Sequence, residues 1–229
     1  MYKVAIIGAS GYTGAQLVQL VQQHPSLTLA GTYVSENSAD AGKNIGALHG
    51  NLAHVDATLT PISNEILVAL TSQVDFIFLA TPHEASHDWM PTLSSGRAKV
   101  LDLSGAFRLK DTAVFEQFYG FAHTQKDSLD VSVYGLAEWH EDKIANASVI
   151  AVPGCYPTAS LTALKPLAAN GLLDANVRPV INAVSGVSGA GRKASLTTSF
   201  FEVSLHAYGV LGHRHTPEIE AYLGTPVIF

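Results

Sequence analysis

The segment Lys3-Val4-Ala5-Ile6-Ile7-Gly8-Ala9-Ser10-Gly11-Tyr12-Thr13-Gly14 decides the fold class of this chain. Its apolar first half predicts a β-strand, and residues 11–23 predict a helix. Glycines in a turn between a strand and a helix let the backbone approach a pyrophosphate, whose charge is favoured at the helix N-terminus. The alternative is a plain tight turn in an α/β domain. We predict dinucleotide binding, with cofactor contacts at Gly8, Ser10, Gly11, Tyr12, Thr13 and Gly14.

The alternation of strand and helix patterns continues along the chain. Further apolar strands are predicted at 27–34, 74–80 and 99–103, with helices near 64–70 and 84–93 between them. Apolar strands separated by helices at this spacing favour a parallel sheet with helices on both faces. The fold class that we predict is therefore α/β.

The pattern changes near Val152 to Gly154. A long helix is predicted at about 156–170, followed by a strand at 177–184 and a β-like stretch at 198–208. The chain is long enough for two modest domains. We predict a nucleotide-binding domain at 1–153 and a smaller α+β catalytic domain at 154–229.

The composition predicts a soluble globular protein. Its 229 residues are 47% hydrophobic and 14% charged, with a formal net charge of −6. This negative charge, without a basic stripe, argues against nucleic acid or an anionic membrane as the main partner, and no segment has membrane-spanning length. A single cysteine excludes an internal disulfide, which fits a reducing compartment. Since the N-terminus has no signal-peptide pattern, we expect a cytoplasmic protein that acts on a small molecule.

The end of the second predicted strand bears on which dinucleotide is bound. NAD-preferring sites place Asp or Glu about 20 residues past the glycines, where it binds the ribose 2′-hydroxyl. Counted from Gly14, that offset falls on Val34-Ser35, with Glu36 next. Ser35 and Ser38 offer hydroxyls, and Lys43 could approach a 2′-phosphate. The sequence favours NADP, while Glu36 keeps NAD open.

The single cysteine, Cys155, is the candidate nucleophile. It lies in Pro153-Gly154-Cys155-Tyr156-Pro157-Thr158, between a strand-like stretch at 148–152 and a segment that predicts a helix. At a helix N-terminus, unpaired backbone amides and the helix dipole favour thiolate over thiol. The same amides could hold the oxyanion formed when the thiolate attacks a carbonyl. The alternative is a buried structural cysteine.

A second group of candidates is His213-Arg214-His215-Thr216-Pro217-Glu218. A histidine titrates near neutrality and can transfer a proton to or from an intermediate formed at a cysteine. Arg214 could bind a substrate carboxylate, and Glu218 could orient a histidine. Arg108 follows a predicted strand and could bind a phosphate or a carboxylate, although each of these residues could also be a plain surface residue. Cysteine, histidine and nucleotide fold together indicate reduction of an activated acyl group through a thioester.

The stretch His83-Glu84-Ala85-Ser86-His87 matches the zinc-peptidase pattern His-Glu-x-x-His. It begins at the mouth of a predicted parallel strand, and no third ligand follows at a recognisable spacing. We therefore predict no metal site and keep a zinc peptidase as a remote alternative. A non-catalytic nucleotide sensor is the third class of function left open.

Five motifs together resemble the N-acetyl-gamma-glutamyl-phosphate reductases of arginine biosynthesis. They are Gly8 to Gly14, Asp102-Leu103-Ser104-Gly105-Ala106-Phe107-Arg108, Pro153 to Thr158, Ser188-Gly189-Ala190-Gly191-Arg192 and His213 to Glu218. The matches follow the family order over nearly the whole chain. The aspartate-semialdehyde dehydrogenases are similar but more distant, because their Cys and His motifs have different neighbours.

The resemblance implies an NADP-dependent, homo-oligomeric enzyme, a dimer or tetramer, with a Rossmann domain and an α+β catalytic domain. By the same resemblance, Cys155 is expected to be the nucleophile that attacks the acyl phosphate of N-acetyl-glutamyl 5-phosphate. NADPH is then expected to reduce the resulting thioester to the semialdehyde. His213 is the expected acid/base residue, with His215 in reserve and Glu218 beside them.

The resemblance also implies ligand contacts in the second domain. Gly186, Ser188, Gly189 and Ala190 are expected along the nicotinamide, and Arg108, Arg192 and Arg214 near the phosphate and carboxylate of the substrate. Family members continue past residue 229, so we expect a catalytic domain that is truncated at its C-terminal end and weak or absent activity.

Overall fold

The computed structural model describes residues 1–229. Seven strands form one sheet in the order β3-β2-β1-β4-β5-β7-β6, and every neighbouring pair is parallel. The predicted parallel sheet is confirmed. The strands are β1 (Tyr2–Ile7), β2 (Leu27–Val34), β3 (Leu59–Pro61), β4 (Phe76–Leu79), β5 (Lys99–Asp102), β6 (Val133–Tyr134) and β7 (Val149–Ala151).

Eight α-helices accompany the sheet, of which the sequence pattern predicted four. Two of the eight begin with a side-chain cap: Ser63 Oγ accepts from the Ile66 amide, and the Asp111 carboxylate accepts from two amides of the next turn. The helices are α1 (Tyr12–Gln23), α2 (Asn64–Gln73), α3 (His83–Leu93), α4 (Thr112–Tyr119), α5 (Lys126–Val131), α6 (Ala137–Asn146), α7 (Cys155–Ala169) and α8 (Thr216–Leu223). None is long and apolar enough to cross a membrane.

The chain forms two compact units. The first contains residues 1–107 and 125–152, and the second contains residues 108–124 and 153–229. The second unit thus takes in α4, which precedes the predicted boundary in the sequence. The division into domains at 1–153 and 154–229 stays a prediction.

In the first unit the sheet is buried on both faces. Along β1, Val4 and Ile6 pack into one apolar cluster and Ala5 and Ile7 into another, and all four are fully buried. This follows from the alternation of side chains along a strand, which sends neighbours to opposite faces. Both layers of the core are therefore complete within this unit.

The second unit holds α4, α7 and α8 and almost no β structure. The strand predicted at 177–184 is wrong, because only Val180 forms an isolated bridge, to Ile228. The β-like stretch predicted at 198–208 is also wrong. A strand needs a neighbour along its length to pair its backbone hydrogen bonds and cover its apolar side chains. Residues 177–184 are paired only at this one bridge to Ile228, and in the second segment Phe201 is 94% exposed.

Candidate active site

The glycine-rich loop lies at the carboxyl end of β1, next to β4. Gly8 has a φ of +88°, and a Cβ there would overlap the carbonyl oxygen of Ala80, while a Cβ at Gly14 would overlap that of Gly8. The strand order reverses between β1 and β4, which is where open parallel sheets bind ligands. No side chain caps α1, so its first amides are available to an anion.

His49 supports this loop, and sequence reasoning missed it. Its Nε2 lies 3.0 Å from the carbonyl oxygen of Ser10, and its ring meets that of Tyr12 edge to face at 6.4 Å. His49 is far from the loop in the sequence, in a segment without helical or strand periodicity. No local signal could have linked the two.

The residues considered for cofactor selectivity lie beyond the end of β2. The amide of Ser38 donates to the carbonyl oxygen of Ser35, and Ser38 Oγ accepts from the amide of Asp40. Lys43 Nζ forms an ion pair with Asp40 at 3.0 Å, and its side chain is still about half exposed. Glu36 is exposed. Ser35 and Ser38 thus shape a turn that carries one cation, Lys43, and two carboxylates, Glu36 and Asp40.

Cys155 is the first residue of α7 and is exposed. Gly154 precedes it as the N-cap with extended backbone, and the Thr158 amide donates to the Gly154 carbonyl at 2.9 Å. Since Pro157 has no N–H, the amides of Cys155 and Tyr156 are the two left unbonded in this first turn. The thiol therefore stands beside two backbone donors at the positive end of a helix.

A buried ion pair lies behind the nucleophile. Glu218 is fully buried; one of its oxygens accepts from the Gly154 amide at 2.9 Å and the other from Arg108 Nη1 at 3.3 Å. The Tyr222 hydroxyl donates to the Arg108 carbonyl at 2.6 Å. Burial and the Glu218 charge raise the pKa of Tyr119, which also bonds Arg108, to about 12. Glu218 thus binds the residue before the nucleophile, and Arg108 is its counter-ion.

The space around Gly154 is closed on this side. A Cβ at this position would lie 2.6 Å from His215 Nε2 and 2.9 Å from Arg108 Nη1. His215 itself is buried, at the start of α8. Only glycine therefore allows the cysteine turn to approach the histidine segment this closely.

His213 is half-buried among aromatic rings. Its ring centroid lies 4.8–5.7 Å from those of four neighbours, each roughly perpendicular to it, and the His215 amide donates to its Nδ1 at 3.1 Å. Burial, and then the Arg214 charge, lower the pKa of His213. We call the four neighbours the ring cage: Tyr156, Tyr208, His215 and Phe229.

The remaining predicted residues are more scattered. Ser188, Gly189 and Ala190 form a short exposed turn of 3₁₀-helix, and Arg192 follows it, also exposed. In the first unit, His83 Nδ1 accepts from the Gly105 amide.

The His-Glu-x-x-His pattern does not converge on a metal site. His87 is buried and pairs with Asp88 at 2.8 Å. No three metal-binding side chains come together anywhere in the chain.

Comparison with known proteins gives two family matches. Residues 3–147 match the semialdehyde dehydrogenase NAD-binding domain, and residues 155–228 match the semialdehyde dehydrogenase dimerisation domain. Relatives named N-acetyl-gamma-glutamyl-phosphate reductase are 83% identical in Alteromonas mediterranea and 61% identical in Pseudoalteromonas atlantica. The chain belongs to this reductase family. All of the chain aligns, and it spans 68% and 67% of the length of these two relatives.

Solved structures of related fold are more distant in sequence. Aspartate semialdehyde dehydrogenase II from Vibrio cholerae aligns with the whole chain and 68% of its own length, at a TM-score of 0.64 and 19% identity. A probable aspartate-semialdehyde dehydrogenase from Pseudomonas aeruginosa aligns with 99% of the chain at a TM-score of 0.61 and 19% identity. These likenesses show the fold. The resemblance found in the sequence motifs is confirmed at the level of family.

Proposed function

We propose that this chain carries the active site for the NADPH-dependent reduction of N-acetyl-L-glutamyl 5-phosphate to the 5-semialdehyde and phosphate. The observation that carries the proposal is the Cys155 turn: an exposed thiol at the start of α7, two unbonded amides beside it, and His213 on the neighbouring segment. The names of the relatives supply the substrate.

The first half of the reaction belongs to Cys155. Its thiolate attacks the acyl carbon, and the carbonyl electrons move onto oxygen. The amides of Cys155 and Tyr156 are positioned to stabilise that oxyanion, which collapses, breaks the bond to the phosphate oxygen and leaves a thioester. This half is a substitution, in which a C–S bond replaces the C–O bond to phosphate at an unchanged oxidation level of the acyl carbon, so it needs no reductant.

The nicotinamide cofactor fits the first unit. The cradle formed by Gly8 and Gly14 has no room for a side chain, and the uncapped start of α1 suits a pyrophosphate. When bound, NADPH supplies the hydride that reduces the thioester carbon. Lys43 is the cation available for the 2′-phosphate, which supports NADP over NAD, with Ser35 and Ser38 beside it.

The roles of the charged residues follow their burial. Arg214 and Arg192 are exposed, so we assign them to the carboxylate and phosphate of the substrate. Arg108 is buried against Glu218, the carboxylate that accepts from the Gly154 amide of the cysteine turn. It binds the substrate only where the substrate displaces that carboxylate. His213 is the acid/base residue, with His215 as the reserve. The proposal also includes a homo-oligomer and a cytoplasmic location.

The test is the reverse reaction. The 229-residue chain is incubated with N-acetylglutamate semialdehyde, NADP and phosphate, and the absorbance of NADPH is followed. Cys155→Ser is the control for the nucleophile. A parallel sample carries the same chain extended with the C-terminal segment of the Alteromonas relative, because the chain spans about two thirds of that protein.

The outcomes separate the candidate functions. NADPH formation that needs phosphate and is lost in Cys155→Ser supports the proposal. Formation that persists in Cys155→Ser overturns the role of Cys155. Silence in the extended protein, with NADP binding intact, would leave a nucleotide sensor instead of a reductase.

A further inference from the structure

The carbonyl oxygen of Ser10 has a single hydrogen-bond partner in the protein. No backbone N–H donates to it, and His49 Nε2 lies 3.0 Å away. Because a carbonyl oxygen can only accept, Nε2 must carry a proton and His49 is the donor. The Gly11 N–H, in the same planar peptide unit, donates to the Gly8 carbonyl at 3.2 Å. This peptide unit of the glycine loop is therefore held at both ends.

The loop needs such a bond because packing does not fix this peptide unit. A Cβ at Gly11 would meet no atom closer than 3.5 Å, and a glycine backbone has more conformational freedom than any other. The amides of Tyr12, Thr13 and Gly14 follow directly and have no acceptor in the protein. They are the donors that the start of α1 offers to a pyrophosphate. The orientation of the peptide unit before them therefore bears on how well an anion is held.

His49 is itself fixed in place by its backbone. It lies between two short 3₁₀ turns, and its N–H donates to the Ile45 carbonyl at 3.0 Å while its carbonyl accepts from the Leu52 amide at 2.8 Å. Ile45 and Leu52 are fully buried, in the same apolar cluster as Val18 of α1. The imidazole thus reaches the glycine loop from a segment that is packed against the helix of that loop.

We propose that His49 is a positioning residue for the dinucleotide: by donating to the Ser10 carbonyl, it holds the glycine loop in the orientation that binds the pyrophosphate. This inference rests on the cofactor site of the proposed function and deepens it. His49 acts through the loop and not on the reacting carbon. Since NADPH and NADH share the pyrophosphate, the role is independent of the 2′-phosphate, for which Lys43 is the proposed cation.

Three variants test the hydrogen bond through the Kd for NADPH, measured by isothermal titration calorimetry on the 229-residue chain. His49→Ala removes the donor and the ring. His49→Phe keeps a ring beside Tyr12 but cannot donate, and His49→Gln carries an N–H donor at about the position of Nε2. We expect Kd to rise about 3- to 10-fold in the first two variants, as for one lost hydrogen bond, and to stay within about twofold of wild type in His49→Gln.

The matched control is His54→Ala, because His54 is an exposed histidine of the same stretch of chain and its loss should leave Kd unchanged. Equal affinity in His49→Ala and wild type would overturn the inference. So would a His49→Gln protein that binds as weakly as His49→Ala, since the N–H would then not be the group that matters. A wild-type chain that binds neither nucleotide would overturn the cofactor site itself, and the inference with it.

A comparison of the two nucleotides separates a held loop from a contact to the 2′-phosphate. We expect His49→Ala to weaken the binding of NADPH and NADH by the same factor. Lys43→Ala should weaken NADPH more than NADH. A loss confined to NADPH in His49→Ala would assign His49 to the 2′-phosphate and overturn the positioning role.

The hydrogen bond can also be observed by ¹⁵N NMR in the protein without cofactor. We expect His49 Nε2 to resonate as a protonated nitrogen. The amide signal of Gly11, which shares the peptide unit, should shift in His49→Ala and His49→Phe and return towards its wild-type position in His49→Gln. An unprotonated Nε2, or a Gly11 signal that is the same in all four proteins, would overturn the inference whether or not the chain turns over.

Discussion

The two units of this chain bury their apolar residues very differently. In the first unit, Ile7 of β1 and Leu79 of β4 are fully buried, and the sheet has packed residues on both faces. In the second unit, Phe200 and Leu205 are 88% and 87% exposed, and residues 177–211 contain no strand. The first unit finds all its partners within the chain, whereas the second leaves much of its apolar surface uncovered.

Relatives of the chain give this difference a context. The chain aligns in full with reductases that are about half as long again. The family model that matches residues 155–228, within the second unit, is described as a dimerisation domain. The site residues of the second unit do not share this exposure, because Glu218 and His215 are buried.

The largest loss of stability is expected at the buried ion pair of the second unit. Glu218→Ala removes the carboxylate that accepts from the Arg108 guanidinium and the Gly154 amide, which should cost about 3–5 kcal/mol of that unit's stability. Hydrogen exchange followed by mass spectrometry reads both units in one sample. Peptides of α7 and α8 should exchange faster while those of β1 and β4 stay protected.

Glu218→Gln is the control for this prediction. The amide oxygen can still accept from Gly154, so the loss should be smaller than in Glu218→Ala. Equal exchange in wild type and Glu218→Ala would show that the buried pair does not stabilise the second unit.

A matched pair of leucines measures the contrast between the units directly. Leu79→Ala removes a fully buried side chain from β4 and should cost about 2–5 kcal/mol. Leu205→Ala changes a side chain that is 87% exposed and should stay within about 0.5 kcal/mol. Hydrogen exchange followed by mass spectrometry, which reads the peptides of each unit separately, provides the comparison. Similar losses for both would mean that Leu205 packs in solution.

Acid should affect the two units in different pH ranges. Burial lowers the pKa of His213, so the unfolded chain takes up a proton at a higher pH than the folded chain does. The stability that the neutral His213 ring contributes above its ordinary pKa of about 6.5 is therefore lost as the pH falls below that value. In the first unit, bonds from Lys3 and Arg97 lower the pKa of Asp75, so its contribution persists until the pH falls below about 3.9.

This ordering is checked by hydrogen exchange across a pH series corrected for intrinsic rates. Peptides around α7 and α8 should lose protection at mildly acidic pH, before those of β1. His213→Gln should flatten that early loss. An unchanged profile in His213→Gln would assign the acid sensitivity to another group.

The smallest effect concerns a single hydroxyl. Tyr156→Phe keeps the ring against His213 and removes the hydrogen bond to Tyr208, which should cost about 0.5–1.5 kcal/mol or less, since Tyr208 is exposed. Tyr156→Leu, which removes the ring as well, should cost more and broaden the ¹⁵N signals of His213. Equal spectra for the two variants would mean that the ring does not position the histidine.

The first unit was predictable because its signals are local. The apolar run before Gly8, the glycines of the loop and the spacing of the later strands are all legible without a neighbour. Helices α4, α5, α6 and α8 were not predicted, and each is only six to ten residues long. The predicted strands in the second unit failed because β-propensity expresses packing against a partner more than an intrinsic preference of the backbone.

The sequence by itself determined the fold class, the nucleotide loop, the position of Cys155 at a helix start and, through its motifs, the family. Only the tertiary structure decided which nitrogen of His213 accepts, that Glu218 binds the Gly154 amide and Arg108, and that His49 supports the glycine loop. Those contacts join residues up to 110 positions apart, or depend on the direction of one N–H. A local pattern encodes how a segment folds, but contacts of this kind are set by where the fold brings distant segments together.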